Sequence, residues 1–443
     1  MTATSQTTRP RAWVWTLARL AIQTFYRVER VGEALPSGAL LLLANHPNAL
    51  LDPAVVQTTA GRQVRFLAKS TLFQRHPLSV FIRNSGAIPV YRRIDPGVDA
   101  TRNVEMFSAV ESALAGGEAI CLFPEGMSHD HGKLETLRTG ASRMALSSTS
   151  RGHPVKIVPV GLNFDHSSAF RSRVTAVFGQ TFEYDDIVAD YRKDEALAVR
   201  DLTERISHRL RQLMVEANPR DDLSLVARID RLYASARGVS RKPKDQIIRR
   251  QLIAEGMEAL REHDPDHLHA ILAQVRSYDE SLDRFRLRDR DVEQRITPGL
   301  AWRFIIREGL LGLVLAPLAV LSLVIFALPY WLTGRFGRRA PDLQSRATWK
   351  VAGGVMAYGL WIGLLATVVG VGRGWQVGLG SAGALTALAF IGLFAFEREA
   401  AVFRTVKAFL ALRQTPLKAR AALKRQRVEL ASVLERVGEW VRD

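Results

Sequence analysis

The chain has 443 residues, a formal net charge of +17 and a hydrophobic content of 47%. That length holds one domain of ordinary size with something substantial beside it, and the basic balance points to nucleic acid or to an anionic membrane surface. The single cysteine, Cys121, excludes an intrachain disulfide and fits a reducing compartment.

Residues 1–32, which include "RPRAWVWTLARLAIQTFYRVERVG", predict an amphipathic helix. Arg19 interrupts the apolar run and no small-residue cleavage site follows, so the stretch does not read as a signal peptide. Two placements fit. The helix lies on lipid, anchored by Trp13, Trp15 and Leu20 with Arg9, Arg11, Arg19 and Arg27 nearby, or it packs on the core of the domain that follows.

Residues 33–215 alternate short apolar runs with amphipathic stretches. "ALLLLAN", "QVRFLAK", "GAIPVYR", "AICLFPEG", "VKIVPVGLNF" and "RVTAVFG" read as strands, and helices are expected after the first four. That is the order of an α/β sheet with parallel pairs, in which ligand sites lie where strands end.

Residues 216–300 read as a charged helical region, a solvated connector with basic faces. Residues 301–400 hold three apolar segments, at about 310–332, 351–371 and 377–396, each free of charge and long enough to cross a hydrocarbon core of roughly 30 Å. Residues 401–443 form a basic amphipathic tail that suits anionic lipid; no zinc-finger spacing or aromatic-basic strand supports nucleic acid. Arg335, Arg338, Arg339, Arg346 and Lys350 put the loop after the first segment in the cytoplasm. A cytoplasmic site domain then requires the first segment to enter and leave on one side, re-entrant or kinked at Pro317; otherwise all three span and the tail lies across the membrane.

Candidate chemistry begins in "NHPNALLDP". His46 can take and return a proton near neutrality, and Asp52, hydrogen-bonded to its other ring nitrogen, would fix its tautomer. Six positions turn through about 240° on a helix, so the turn at Pro47 has to bring the two together. Alone, the pair reads as a strand-end turn with a helix cap. At other strand ends lie Glu125 and Gly126 in "CLFPEGMSHD", Arg92 and Arg93 in "GAIPVYRR", and Pro159 and Gly161 in "IVPVGLNF". A carboxylate can bind a polyol, and guanidinium forks suit a phosphate. The plain readings are a turn carboxylate, solvated charges and an edge-strand proline. No Cys/His cluster has metal-ligand spacing, so neither a metal nor a cofactor is expected.

Together the blocks "HPNALLDP", "IPVYRR", "FPEGMSHD" and "VPVGLNFDHSSAFRSR" resemble the glycerol-phosphate and lysophospholipid acyltransferase superfamily. They look most like its fungal-type glycerol-3-phosphate or dihydroxyacetone-phosphate acyltransferases and their bacterial relatives. The resemblance implies a glycerolipid acyltransferase-type mixed sheet flanked by helices, followed by a helical region and carboxy-terminal membrane helices. It makes His46 the general base toward an acyl thioester, oriented by Asp52. It gives Arg92, Arg93 and Lys69 to the acceptor phosphate, Glu125 and Gly126 to the glycerol backbone, and Pro159 to the channel wall. Five residues separate His46 from Asp52, one more than in the superfamily's commonest form, and the fungal-type branch shares that spacing.

The implied partners are acyl-coenzyme A or acyl carrier protein as co-substrate, glycerol 3-phosphate or a lysophospholipid as acceptor, and an anionic membrane. The implied location is a bacterial inner membrane, with the catalytic domain facing the cytoplasm. Three alternatives stand: a catalytically silent lipid-binding protein, a transacylase, and a hydrolase, for which Ser128 lacks a Gly-x-Ser-x-Gly elbow.

Overall fold

The structure, a computed structural model, describes residues 10–74, 78–92, 95, 99–240, 242–292 and 298–440. In chain order α1 (Ala12–Phe25) runs into β1 (Tyr26–Val31), followed by β2 (Leu40–Ala44), α2 (Leu51–Ala60) and β3 (Val64–Lys69). Next come α3 (Ser79–Asn84), β4 (Ile88–Val90), α4 (Asn103–Ala115), β5 (Ala119–Leu122), α5 (Gly140–Ser150), β6 (Lys156–Phe164) and β7 (Ser172–Phe178). Seven helices lie between there and the last apolar segment: α6 (Asp185–Tyr191), α7 (Glu195–Arg211), α8 (Asp222–Arg237), α9 (Pro243–His263), α10 (Pro265–Arg284), α11 (Pro298–Arg338) and α12 (Arg346–Arg373). The chain closes with α13 (Trp375–Gln414) and α14 (Leu417–Trp440).

The chain divides into two compact units. The first takes in Met1–Ser224, Lys242–Ala254 and Pro341–Thr348; the second is Leu225–Arg241, Glu255–Ala340 and Trp349–Asp443.

The first unit is built on one seven-stranded sheet in the order β1-β7-β6-β2-β5-β3-β4. Every pairing is parallel except β6 with β7. β2 and β5 are buried at every position, as befits inner strands covered on both faces. On one face Leu41, Leu43, Ile120 and Ile157 pack with Met144 of α5 and Leu202 of α7. Each such side chain stabilises the fold by roughly 1.5–3 kcal/mol when taken out of water.

One strand departs from the sequence expectation. The helix read through residue 32 stops at Phe25, and Tyr26–Val31 pairs in parallel with β7. "YRVERV" has little apolar alternation of its own, and pairing with β7 is what makes it a strand. α1 buries Val14, Ala18, Ile22 and Phe25, one face at spacings of 4, 4 and 3, and packs beside α2. Trp15 turns inward to Phe66, with ring centroids 5.4 Å apart, so it is no lipid anchor here. Trp13, Leu17 and Leu20 remain exposed on a neighbouring stripe. Arg9 lies outside the described residues.

In the second unit α14 docks on α10. Arg427 of α14 is fully buried, donating to Ser235 Oγ at 3.0 Å and to the Asp289 carbonyl at 2.7 Å. Among the described residues, three helices are long and apolar enough to cross a membrane: Ile306–Arg338, Arg346–Arg373 and Trp375–Gln414. α11 is one continuous helix through both Pro317 and Pro329, so the break expected at Pro317 is not there.

α11 touches its neighbours at different places along its length. Its second half meets the middle of α12: Trp361 Nε1 donates to the Ile325 carbonyl at 2.9 Å, and Phe326 stacks on Tyr358 at 5.5 Å. It also meets the middle of α13, where Gly392 lies against Ser322 and Arg398 pairs with Glu308. α12 and α13 meet at Gly370 and Gly378, next to the turn that joins them.

Candidate active site

β2 ends between β5 and β6, and the residues beyond it replace lost ladder contacts with side chains. Asn45 Oδ1 accepts the Leu162 N–H at 2.7 Å while its Nδ2 donates to the Leu162 carbonyl at 3.1 Å, extending the β2–β6 pairing by one residue. The chain then turns through Ala49, at φ +46°, into α2, whose first turn carries Asp52. Asn48 holds that turn, with its N–H on Asp52 Oδ2 at 2.8 Å and its Nδ2 on the Tyr26 hydroxyl at 2.8 Å.

This turn supplies the convergence that helical spacing does not. His46 Nδ1 lies 2.8 Å from Asp52 Oδ2. Asp52 is fully buried; burial pushes its carboxyl above the ordinary range, and the His46 hydrogen bond opposes that. The His46 ring stacks on Phe123 with centroids 4.1 Å apart and planes 15° apart, which fixes its tilt. Nδ1 being taken, Nε2 is the nitrogen left for an incoming hydroxyl.

The loop after β5 clamps the same residue. Glu125 Oε1 accepts the His46 N–H at 2.7 Å, and the His129 N–H donates to the His46 carbonyl at 3.0 Å. Glu125 Oε2 accepts the Glu135 N–H at 3.1 Å and pairs with His129. Burial raises this carboxyl too, opposed by His129. Both oxygens are therefore engaged within the protein, an arrangement that fits a positioning carboxylate better than the polyol ligand implied by the resemblance. Gly126, at φ +77°, closes the turn from Phe123, a backbone conformation that favours glycine.

Arg92 reaches this loop. Its guanidinium donates to the Gly126 carbonyl at 3.1 Å and forks onto Asp95 at 2.6 and 3.0 Å. The Arg92 guanidinium holds the Asp95 carboxyl below its ordinary range, and the Lys69 ammonium adds to the effect. Lys69 is exposed at the end of β3, in register with Val90. Arg93 lies outside the described residues.

Pro159 is not at a strand end. It is buried within β6, opposite Leu43 of β2, and its carbonyl accepts the Gly179 N–H at 2.9 Å. Ser128 Oγ accepts the Ala49 N–H at 2.9 Å, so it braces the His46 turn.

The acyltransferase family profile matches residues 27–163, from β1 to the end of β6. That segment resembles the acyltransferase family. Glycerol-3-phosphate O-acyltransferase 1 of Saccharomyces cerevisiae is 30% identical over 257 residues, covering 56% of this chain and 33% of that protein. Its namesake 2 from the same yeast is 29% identical over 201 residues, covering 45% and 27%. An uncharacterized acyltransferase of Schizosaccharomyces pombe is 30% identical over 208 residues, covering 45% and 30%. The chain thus spans about a third of the length of the curated relatives it matches. The crystal structure of the 1-acyl-sn-glycerophosphate acyltransferase PlsC from Thermotoga maritima superposes with a TM-score of 0.32 and 16% identity, over 45% of this chain and 78% of that one.

The site uses residues for which the sequence reading had no role. Asn45, Asn48, Phe123 and Tyr26 all support the His46–Asp52 turn. Asn45 and Asn48 carried a signal, being polar groups directly after a buried strand. Phe123 read as an ordinary strand residue and Tyr26 as part of the amino-terminal helix, and only tertiary contact distinguishes them.

Proposed function

We propose that this chain is a membrane-bound O-acyltransferase that moves a fatty acyl group from a thioester to a hydroxyl of glycerol 3-phosphate. The observation that carries this is the His46–Asp52 pair at 2.8 Å, built on a fully buried carboxylate within an acyltransferase domain. The yeast relatives named for glycerol 3-phosphate favour that acceptor.

In this mechanism the acceptor hydroxyl gives its proton to His46 Nε2 as its oxygen attacks the thioester carbonyl. Asp52 stabilises the imidazolium formed. The ester C–O bond forms, the C–S bond breaks, and the departing thiolate takes the proton back from His46. Arg92, whose guanidinium reaches the Gly126 carbonyl, would meet the acceptor phosphate. The donor is acyl-coenzyme A or acyl carrier protein.

The test is turnover by the full chain in lipid nanodiscs, with long-chain acyl-coenzyme A and either glycerol 3-phosphate or its 1-acyl derivative, and with His46→Ala as control. Product from glycerol 3-phosphate, lost in the variant, is the result expected. Product from the 1-acyl acceptor alone would make the chain a lysophosphatidate acyltransferase.

The same proposal places the chain in the membrane with α12 and α13 as a hairpin crossing twice and α11 lying along one leaflet. A helix along one leaflet keeps the loop that follows it on the side of the chain that precedes it. Arg335, Arg338, Arg339 and Arg346 then lie on the domain's side, which the positive-inside rule makes the cytoplasm.

A further inference from the structure

We propose that the loop after β5 is a site for a zinc-class divalent metal, held by His129, His131 and Glu135 and backed by Glu125. One ligand atom from each of His129, His131 and Glu135 lies within 4.8 Å of the others. A tetrahedral zinc with bonds of about 2.0–2.1 Å holds its ligand atoms roughly 3.3 Å apart, so closure takes a shift of about 1.5 Å at most. His131 and Glu135 are the exposed pair, already 2.7 Å apart, and are free to make that shift.

Two further observations distinguish this cluster from a surface ion pair. His129 Nε2 pairs with the buried carboxylate of Glu125, while its Nδ1 is buried without a hydrogen-bond partner. A histidine that ligates a metal through one ring nitrogen commonly holds a carboxylate with the other, which fixes the tautomer and strengthens the ligand. Glu125 fills that place, and Nδ1 is left as the ligand atom. The imidazoles of His129 and His131 also lie nearly parallel, 5.3 Å between centroids and 19° between planes.

The loop presents these groups on a fixed backbone. His129 donates to the His46 carbonyl at 3.0 Å, the Gly132 carbonyl accepts from Ala217 at 2.9 Å, and the Leu134 N–H reaches Glu216 at 2.6 Å. Gly132 is at φ +83°, and a Cβ there would meet the Ala217 carbonyl oxygen at 2.6 Å. Such preorganisation lowers the ordering cost of a metal site. Two nitrogens and one carboxylate suit zinc and its transition-metal neighbours over magnesium, which prefers all-oxygen sites. The sequence carried this set as "HDHGKLE", without the regular spacing of a zinc finger. An ion there would be felt at His46, because Glu125 holds both His129 and the His46 N–H.

The test is zinc binding to the full chain in nanodiscs, free of any affinity tag and stripped with chelator, by competition against a chromophoric chelator. His131→Ala and Glu135→Ala remove exposed side chains, and His153→Ala, an exposed histidine elsewhere, is the control. The expected result is one zinc per chain, weakened at least about tenfold in His131→Ala and Glu135→Ala and unchanged in the control. Zinc should also raise the melting temperature of the parent protein and the control, but not of the two ligand variants. Binding of equal strength in all four proteins, no binding at one equivalent, or displacement by millimolar magnesium would overturn the proposal.

Discussion

Glu125 Oε1 accepts the backbone N–H of His46 at 2.7 Å, joining the loop after β5 to the turn after β2. Removing the carboxylate frees the backbone of His46, the proposed general base, while leaving its side chain intact. Glu125→Ala should therefore lower kcat on the order of 100-fold, the usual cost of an ångström-scale misplacement, with KM for glycerol 3-phosphate little changed. Steady-state kinetics with the acceptor varied decide it. A higher KM at unaltered kcat would return Glu125 to the acceptor-binding role implied by the family resemblance.

Asp52 sets activity against stability. Burial raises its folded pKa above the unfolded value, so its contribution to stability is full at acid pH and is lost as the pH rises through the folded value. Above that point the native state carries a buried charge that Asp52→Asn removes. The variant should gain in melting temperature relative to the parent as the pH is taken from acid to mildly alkaline, while turnover falls on the order of 10³–10⁴-fold because the imidazolium loses its counter-charge. Paired melts and rates at the two ends of that range check this, and a relative loss of stability at the higher pH would contradict it.

Arg92 enters the free state already paired with Asp95. An acceptor phosphate must compete with that carboxylate for the guanidinium fork. Arg92→Ala should raise KM for glycerol 3-phosphate roughly 10- to 100-fold, in line with about 1.5–3 kcal/mol for a hydrogen bond to a charged group. Asp95→Asn should lower it. If Asp95→Asn instead raised KM as much as Arg92→Ala, the pair would be holding the loop rather than awaiting the phosphate.

Single cysteines at His269, Leu343, Arg373 and Lys424 test the membrane arrangement in sealed, oriented vesicles. Cys121 is fully buried in β5 and burial pushes its thiol up, so the native background should stay unlabelled. His269, Leu343 and Lys424 should react with an impermeant maleimide from one side, and Arg373, at the turn between α12 and α13, from the other. Labelling of Leu343 opposite His269 would mean that α11 crosses the bilayer.

Much of the sheet was legible because buried parallel strands write themselves as aliphatic runs, as "ALLLLAN" and "AICLFPEG" do. β1 was not legible: "YRVERV" follows α1 without a turn signal, and it becomes a strand through its pairing with β7. Pro159 was misplaced at a strand end because a proline within a strand normally marks an edge. β6 accommodates it between β2 and β7, where its carbonyl still accepts from Gly179.

By itself the sequence determined which chemistry was present: His46 and Asp52 at one strand end, Glu125 and Gly126 at another, Arg92 at a third, and enough continuous apolar length to hold the chain in a bilayer. Those features follow from residue type and periodicity, which are local. The tertiary structure decided which of these groups meet. It turned the chain at Ala49 so that Asp52 reaches His46, placed Phe123 against the imidazole, engaged both oxygens of Glu125 within the protein and paired Arg92 with Asp95. Such contacts are fixed by strand order and loop closure across dozens of residues, and no local pattern encodes them.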